Sequence, residues 1–226
     1  MHTAVYLGLD KSASYQTAAF EPEDIDFWLN EAQLELVKRK AFGNNYRRED
    51  LDGSVKHMED LSTLIKEYET TTSTHAFYPN VVSSTTLSNI GAPQADTYMF
   101  FVGATLQYAT TNKLAEVTLI GKDQIKNLIQ TEYNIPFLRV PYAYIADDKL
   151  NIIKDPYSNA VSSVLIRYIK RPNTMVRSGV GVGTVTTCVL PVQVHTEVVA
   201  LAVSLMLENI ESTRFQTNQI VLNNKE

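Results

Sequence analysis

From Phe20 to Gly43 the apolar positions recur at helical spacing on two sides of a single helix. Ile25, Trp28, Leu29, Ala32 and Leu36 make the first stripe; Phe27, Leu34, Val37 and Ala41 make the second, on an adjoining side. Both ends are marked. Pro22 suits the first helical position, Glu23 and Asp24 suit the positive first turn, and Phe20 and Ile25 are spaced as a hydrophobic staple. Lys38, Arg39 and Lys40 complement the negative pole, and Gly43 suits a left-handed stop. One stripe docks a helix on its core. Two stripes, in a helix that also carries the only Trp of the chain, predict neighbours on both sides. The second neighbour is either more of the same core or another subunit. In the latter case the contact residues are Phe27, Leu34 and Val37.

The same periodicity predicts a short helix within residues 3–19 and a third helix from about Arg47 to Tyr68, with Leu51, Val55, Met58, Leu61 and Ile65 inward. At Thr70 the pattern changes. A Thr/Ser-rich stretch to Gln94 carries turn residues at Pro79-Asn80 and Gly91-Ala92-Pro93. Tyr98, Phe100, Val102, Ala104, Leu106 and Tyr108 then alternate as one face of a strand, and Leu114 to Ile120 reads as a second strand burying Ala115, Val117 and Leu119. A short helix follows from about Lys122 to Gln130. Residues 142–154 read as a hairpin turning at Asp147-Asp148, and 160–170 as a strand stopped by Pro172. From Leu190-Pro191 a helix apolar nearly all round runs to about Ser212, which predicts burial.

The expected class is therefore α+β: a helical bundle domain with an inserted β-rich module and an extended C-terminal tail. The predicted divisions are 1–69 and 189–212 for the helical domain, 70–188 for the insertion and 213–226 for the tail. Strands do not alternate with helices, so a doubly wound sheet is not expected. In the tail, Phe215, Ile220, Val221 and Leu222 are too apolar for a purely solubilising end. They are the candidate residues for docking on a partner by strand or arm addition.

Composition adds limits. A chain of 226 residues, 44% hydrophobic and 20% charged, buries a proper core. Its net charge of −5 gives no global attraction to nucleic acid or anionic membrane. No stretch reaches the roughly 20 apolar residues of a membrane span, and the N-terminus lacks a secretory pattern, so a soluble protein is expected. Cys188, the only cysteine, precludes an intrachain disulfide.

Candidate chemistry is thin. Gly179-Val180-Gly181-Val182-Gly183 has the wrong spacing and context for a phosphate loop and reads as a flexible or hairpin loop. The histidines at 2, 57, 75 and 195 lack metal-ligand spacing, so no metal or cofactor is expected. Cys188 and His195 are a nucleophile and base in principle, but Cys188 stands among β-branched residues and reads as a structural thiol, and His195 as a hydrogen-bonded structural histidine. Lys170 and Arg171, with Lys38 to Lys40, are the compact basic groups, suited to salt bridges between subunits as readily as to phosphates. No catalytic constellation emerges.

Glu23 to Lys40, EDIDFWLNEAQLELVKRK, and Tyr168 to Pro172 followed by CVLPVQVHTEVVALAVSLMLE from Cys188 to Glu208, flank the β-rich stretch. In that order they resemble the head-to-tail connector proteins of tailed bacteriophages, most nearly the ring (adaptor) proteins of crAss-like phages. The resemblance implies a non-enzymatic virion protein of the tail and neck region, made in the host cytoplasm, that assembles as a dodecameric homo-oligomeric ring. It implies contact with the portal protein and with adjoining tail or ring proteins, and a channel through which DNA passes at ejection without specific binding. The alternative reading is a small virion-associated hydrolase or host-binding module.

Overall fold

A computed structural model describes residues 1–12, 20–42, 55–74, 81–90, 97–109, 112–125, 140–154, 160–177 and 186–209. The fold is mixed α and β, with four helices and two sheets among the described residues. The chain forms two compact units, Met1–Leu64 with Pro172–Glu226, and Ile65–Arg171.

The first unit holds the helices α1 (His2–Ser12), α2 (Pro22–Phe42), α3 (Val55–Leu61) and α4 (His195–Asn209). Helix α2 begins at Pro22 as expected, with Glu23 and Asp24 in the first turn and Arg39 and Lys40 in the last, and Gly43, its expected stop, lies outside the described residues. The Asp24 carboxylate accepts a bond from the Glu21 N–H, satisfying a donor at the start. Ile25, Leu29, Ala32, Leu36 and Val37 are buried, and α2 packs mainly on α4. Helix α4 buries Val198, Leu201, Ala202, Val203, Met206 and Leu207, as expected of a helix apolar on most sides. Helix α1 also packs on α4, at Gly8, where an added Cβ would lie 2.8 Å from Val203 Cγ2.

The second unit is built from β1 (Ile65–Thr70), β2 (Ser73–Thr74), β3 (Val81–Thr86), β4 (Tyr98–Tyr108), β5 (Leu114–Glu116), β6 (Thr118–Leu119), β7 (Tyr142–Ala146), β8 (Lys149–Ile153) and β9 (Val161–Lys170). One sheet has the order β1-β9-β4-β5 and the other β2-β3-β8-β7-β6. Ala104, Leu106, Tyr108, Val164, Ile166 and Tyr168 of the first sheet share a core with Val82, Ala143, Leu150 and Ile152 of the second. The turn between β7 and β8 is at Asp147 and Asp148, both at positive φ (54° and 56°), the twist that two-residue hairpins favour.

Four expectations change. The third helix stops at Leu61 with Val55 and Met58 exposed rather than inward, Leu51 lies outside the described residues, and Ile65–Thr70 is instead a strand paired along β9 from Ile169 to Val164. A local helical pattern there yields to a complete ladder with a long partner strand. Within 70–95, β3 is largely buried although its sequence is VVSSTT. Its serines are satisfied there: Ser83 Oγ donates to Asn151 Oδ1 at 2.6 Å, and Ser84 Oγ accepts the Leu150 N–H at 3.1 Å. The register of β4 against β9 shifts between Tyr98 and Phe100 and again between Phe101 and Gly103. Simple alternation is therefore broken, and Phe101 joins Tyr98 against the core. Finally, 114–120 is not one strand. It leaves the first sheet after Glu116 and enters the second at Thr118, so Ala115 and Val117 are buried while Leu119 is exposed.

Candidate assembly surface

Four elements of the first unit meet on an ion cluster centred on buried Lys40 and Asp60. Lys40, in the last turn of α2, donates to Asp60 Oδ2 at 2.6 Å and to Glu197 Oε2 at 2.7 Å. Gln193 Nε2 donates to the other Asp60 oxygen at 3.2 Å, and Lys56 lies 3.6 Å from the other Glu197 oxygen. Burial works against the Lys40 charge, but its bonds to the two carboxylates outweigh that and leave its pKa above the ordinary lysine value. The cluster ties the end of α2 to α3, to the 3-10 turn Val192–Val194 and to α4. Helix α3 needs that tie. Seven residues are too few for a helix to stand alone, and only Asp60 and Leu61 of it are buried.

A second set of contacts anchors the segment after Pro172. Asn30 Oδ1 accepts the Met175 N–H at 2.7 Å while its Nδ2 donates to the Met175 carbonyl at 2.9 Å. One turn earlier, Asp26 accepts the Arg177 N–H at 3.0 Å and a bond from His2 Nε2 at 2.6 Å. The polar side of α2 thus holds a backbone segment in place. Val176 and Thr186 exchange two backbone bonds, and the Gly/Val loop between them lies outside the described residues.

Next to this clamp is a cavity of about 300 Å³, lined by Met1, His2, Leu29, Met175, Cys188 and His195 among others. It brings Cys188 and His195 to one place, but not as nucleophile and base. Burial raises the Cys188 thiol pKa, which keeps it protonated and weakly nucleophilic at neutral pH. His195 Nε2 donates to the Leu190 carbonyl at 2.9 Å, a structural bond of the kind its position predicted.

The candidate contact residues of α2 do not share one environment. Phe27 is 56% exposed, with its ring edge-on to Trp28 at 5.2 Å. Leu34 is half-buried. Val37 is fully buried, because its position around α2 falls at the margin of the face that meets the core. It is not accessible to another subunit, and the accessible stripe is Phe27 with Leu34. The basic groups also change character: Lys40 and Lys170 are both buried, so neither offers its charge to phosphates at the surface. Phe215, Ile220, Val221 and Leu222 lie outside the described residues.

The ion cluster and the Asp26–Asn30 clamp were not foreseen from the chain order. Residues 40, 60 and 197 are too far apart in sequence for any local pattern to pair them. Among the described residues, no helix is long and apolar enough to cross a membrane. A search of curated proteins finds no match. A family model described as phage tail ring protein 3/4 matches residues 6–219.

Proposed function

The chain belongs to the crAss-like phage ring protein family, a structural component of the phage tail, and from that premise we propose that it assembles with copies of itself into a closed ring that continues the DNA channel between portal and tail. The match across both units is the observation that carries this reading. Several features support it. Phe27 stands exposed on the outward side of a helix whose other side is core, which is what a lateral contact between subunits needs. A net charge of −5 suits a channel wall over which DNA slides, since fixed phosphate contacts would hold it. The helices of the first unit act as a bundle closed by α4, and the β-rich insertion serves contacts with adjoining proteins. The role is structural rather than catalytic, consistent with a protonated Cys188 thiol and a structurally engaged His195.

The partners of this reading are the portal protein and adjoining tail or ring proteins. The C-terminal residues Phe215, Ile220, Val221 and Leu222 are its docking arm, adding as a strand or extended segment to a neighbour. A chain lacking residues 214–226 is then expected to keep its circular dichroism and its self-assembly but to lose co-sedimentation with the portal. Equal co-sedimentation of the full and shortened chains, with portal and with the adjoining ring protein, would rule out the docking arm. Failure of the full chain to associate with any neck or tail component would contradict the proposed position.

A further inference from the structure

A closed ring repeats one head-to-tail contact, so each subunit must present two different faces that fit each other. Resting on the ring reading above, we infer that the Phe27–Leu34 stripe of one copy seats on Val55, Met58 and Val192 of the next. Val55 is 73% exposed, Met58 one turn further along α3 is exposed as well, and Val192 in the 3-10 turn is 79% exposed. These are apolar side chains on two short elements that the chain fixes rigidly. Gln193, next to Val192, bonds Asp60 of α3, and Lys56, next to Val55, reaches Glu197 of α4. The buried Lys40 bonds tie α3 and the first turn of α4, which follows directly on the Val192–Val194 turn, to the end of α2. A seven-residue helix with two buried residues and two apolar residues turned outward has its missing half supplied by a partner.

The two faces are distinct. Thirteen residues separate Phe27 from Lys40, which at 3.6 residues per turn places them roughly 140° apart around α2. The stripe therefore points away from the side on which Lys40 meets α3, and one copy cannot close the contact on itself. Charge fits as well. The Phe27 end of the stripe is flanked by exposed Glu23, Asp24 and Glu31, and the Leu34 end by exposed Lys38. On α3 the order is reversed: exposed Lys56 stands beside Val55 and exposed Glu59 beside Met58. Laid across each other, Lys56 meets the acidic end and Glu59 meets Lys38. Phe27 and Val192 are then the apolar anchors of the contact, with the charges at its rim setting register.

The test uses the full chain and two variants, Phe27→Glu and Val192→Glu, each of which removes one face and leaves the other. Neither alone should form rings. Mixed in equal amounts they retain one working contact between them, the Val192 face of Phe27→Glu with the Phe27 face of Val192→Glu, and native mass spectrometry should show a one-to-one heterodimer. Val192→Ser, milder at an exposed site, should reduce ring yield at least tenfold, and far-ultraviolet circular dichroism reports whether each variant is folded. Rings of wild-type yield from Val192→Glu and Val192→Ser, a mixture that stays monomeric, or homodimers of Val192→Glu through α2 alone would each overturn the pairing while leaving the ring itself in place. A wild-type chain that never forms rings would instead overturn the reading beneath it.

Discussion

Replacing Lys40 with Met is expected to lower the stability of the first unit by about 3–5 kcal/mol, the usual cost of leaving a buried charge without its partner. Lys40 is buried and Asp60 is 2% exposed, so Met in place of Lys strands a carboxylate that water hardly reaches. Glu197, partly exposed, recovers some solvation and retains Lys56. Against a total stability of about 5–15 kcal/mol for a typical domain, the loss is large. Because the chain has a single tryptophan, Trp28 of α2, urea unfolding followed by its fluorescence reads this unit directly. The double replacement Lys40→Met with Asp60→Leu should regain most of the loss, since it removes the stranded charge and not only its partner. An unchanged midpoint for Lys40→Met would mean the cluster is not formed in solution. The pH dependence follows in sign. The pKa of Lys40 in the folded chain lies above the ordinary 10.5, so its contribution is complete below that value and is lost only as pH rises through the higher folded one. Between pH 7 and 9 the difference between wild type and Lys40→Met should stay constant.

Phe27→Glu combined with Leu34→Glu is expected to abolish rings while the chain stays helical. A carboxylate forced into a dry subunit contact is left unpaired there, whereas on the free subunit the Phe27 position stays in water. Val37→Glu supplies the contrast. That side chain is fully buried in its own chain, so the substitution should unfold α2 rather than merely disperse the assembly. Sedimentation and far-ultraviolet circular dichroism, read together, separate the two outcomes. A Phe27→Glu, Leu34→Glu chain that still forms rings would show that the stripe is not the contact.

These expectations draw unequally on the sequence. Helix α2 was legible because its signals agreed: Pro22 and the acids at the start, the basic last turn, and a stripe of which Ile25, Leu29, Ala32 and Leu36 are buried and Trp28 half-buried. The hairpin at Asp147-Asp148 was legible for the same reason. Where a partner strand decides, local pattern failed. Ile65 to Thr70 continues a helical spacing, yet six residues of it pair with β9. Ser83 and Ser84 hide β3, because their hydroxyls are satisfied by Asn151 and Leu150, residues more than sixty positions away. The β4 bulges turn Phe101 toward the core by displacing the alternation that the sequence alone follows. The assembly surface was half legible. Two stripes on α2 pointed to two neighbours, but only burial separates Val37, which belongs to the core, from Phe27, which does not. Nothing local links α3 to the turn at Val192, since the bonds that join them run through Lys40, Asp60, Gln193 and Glu197.

Self-assembly into a closed ring is tested most directly by negative-stain electron microscopy of the purified chain, alone, across a range of concentrations. Closed rings of one diameter with a central opening are expected, increasing with concentration and lost in Phe27→Glu. Monomers at every concentration, or open filaments in place of closed rings, would contradict it.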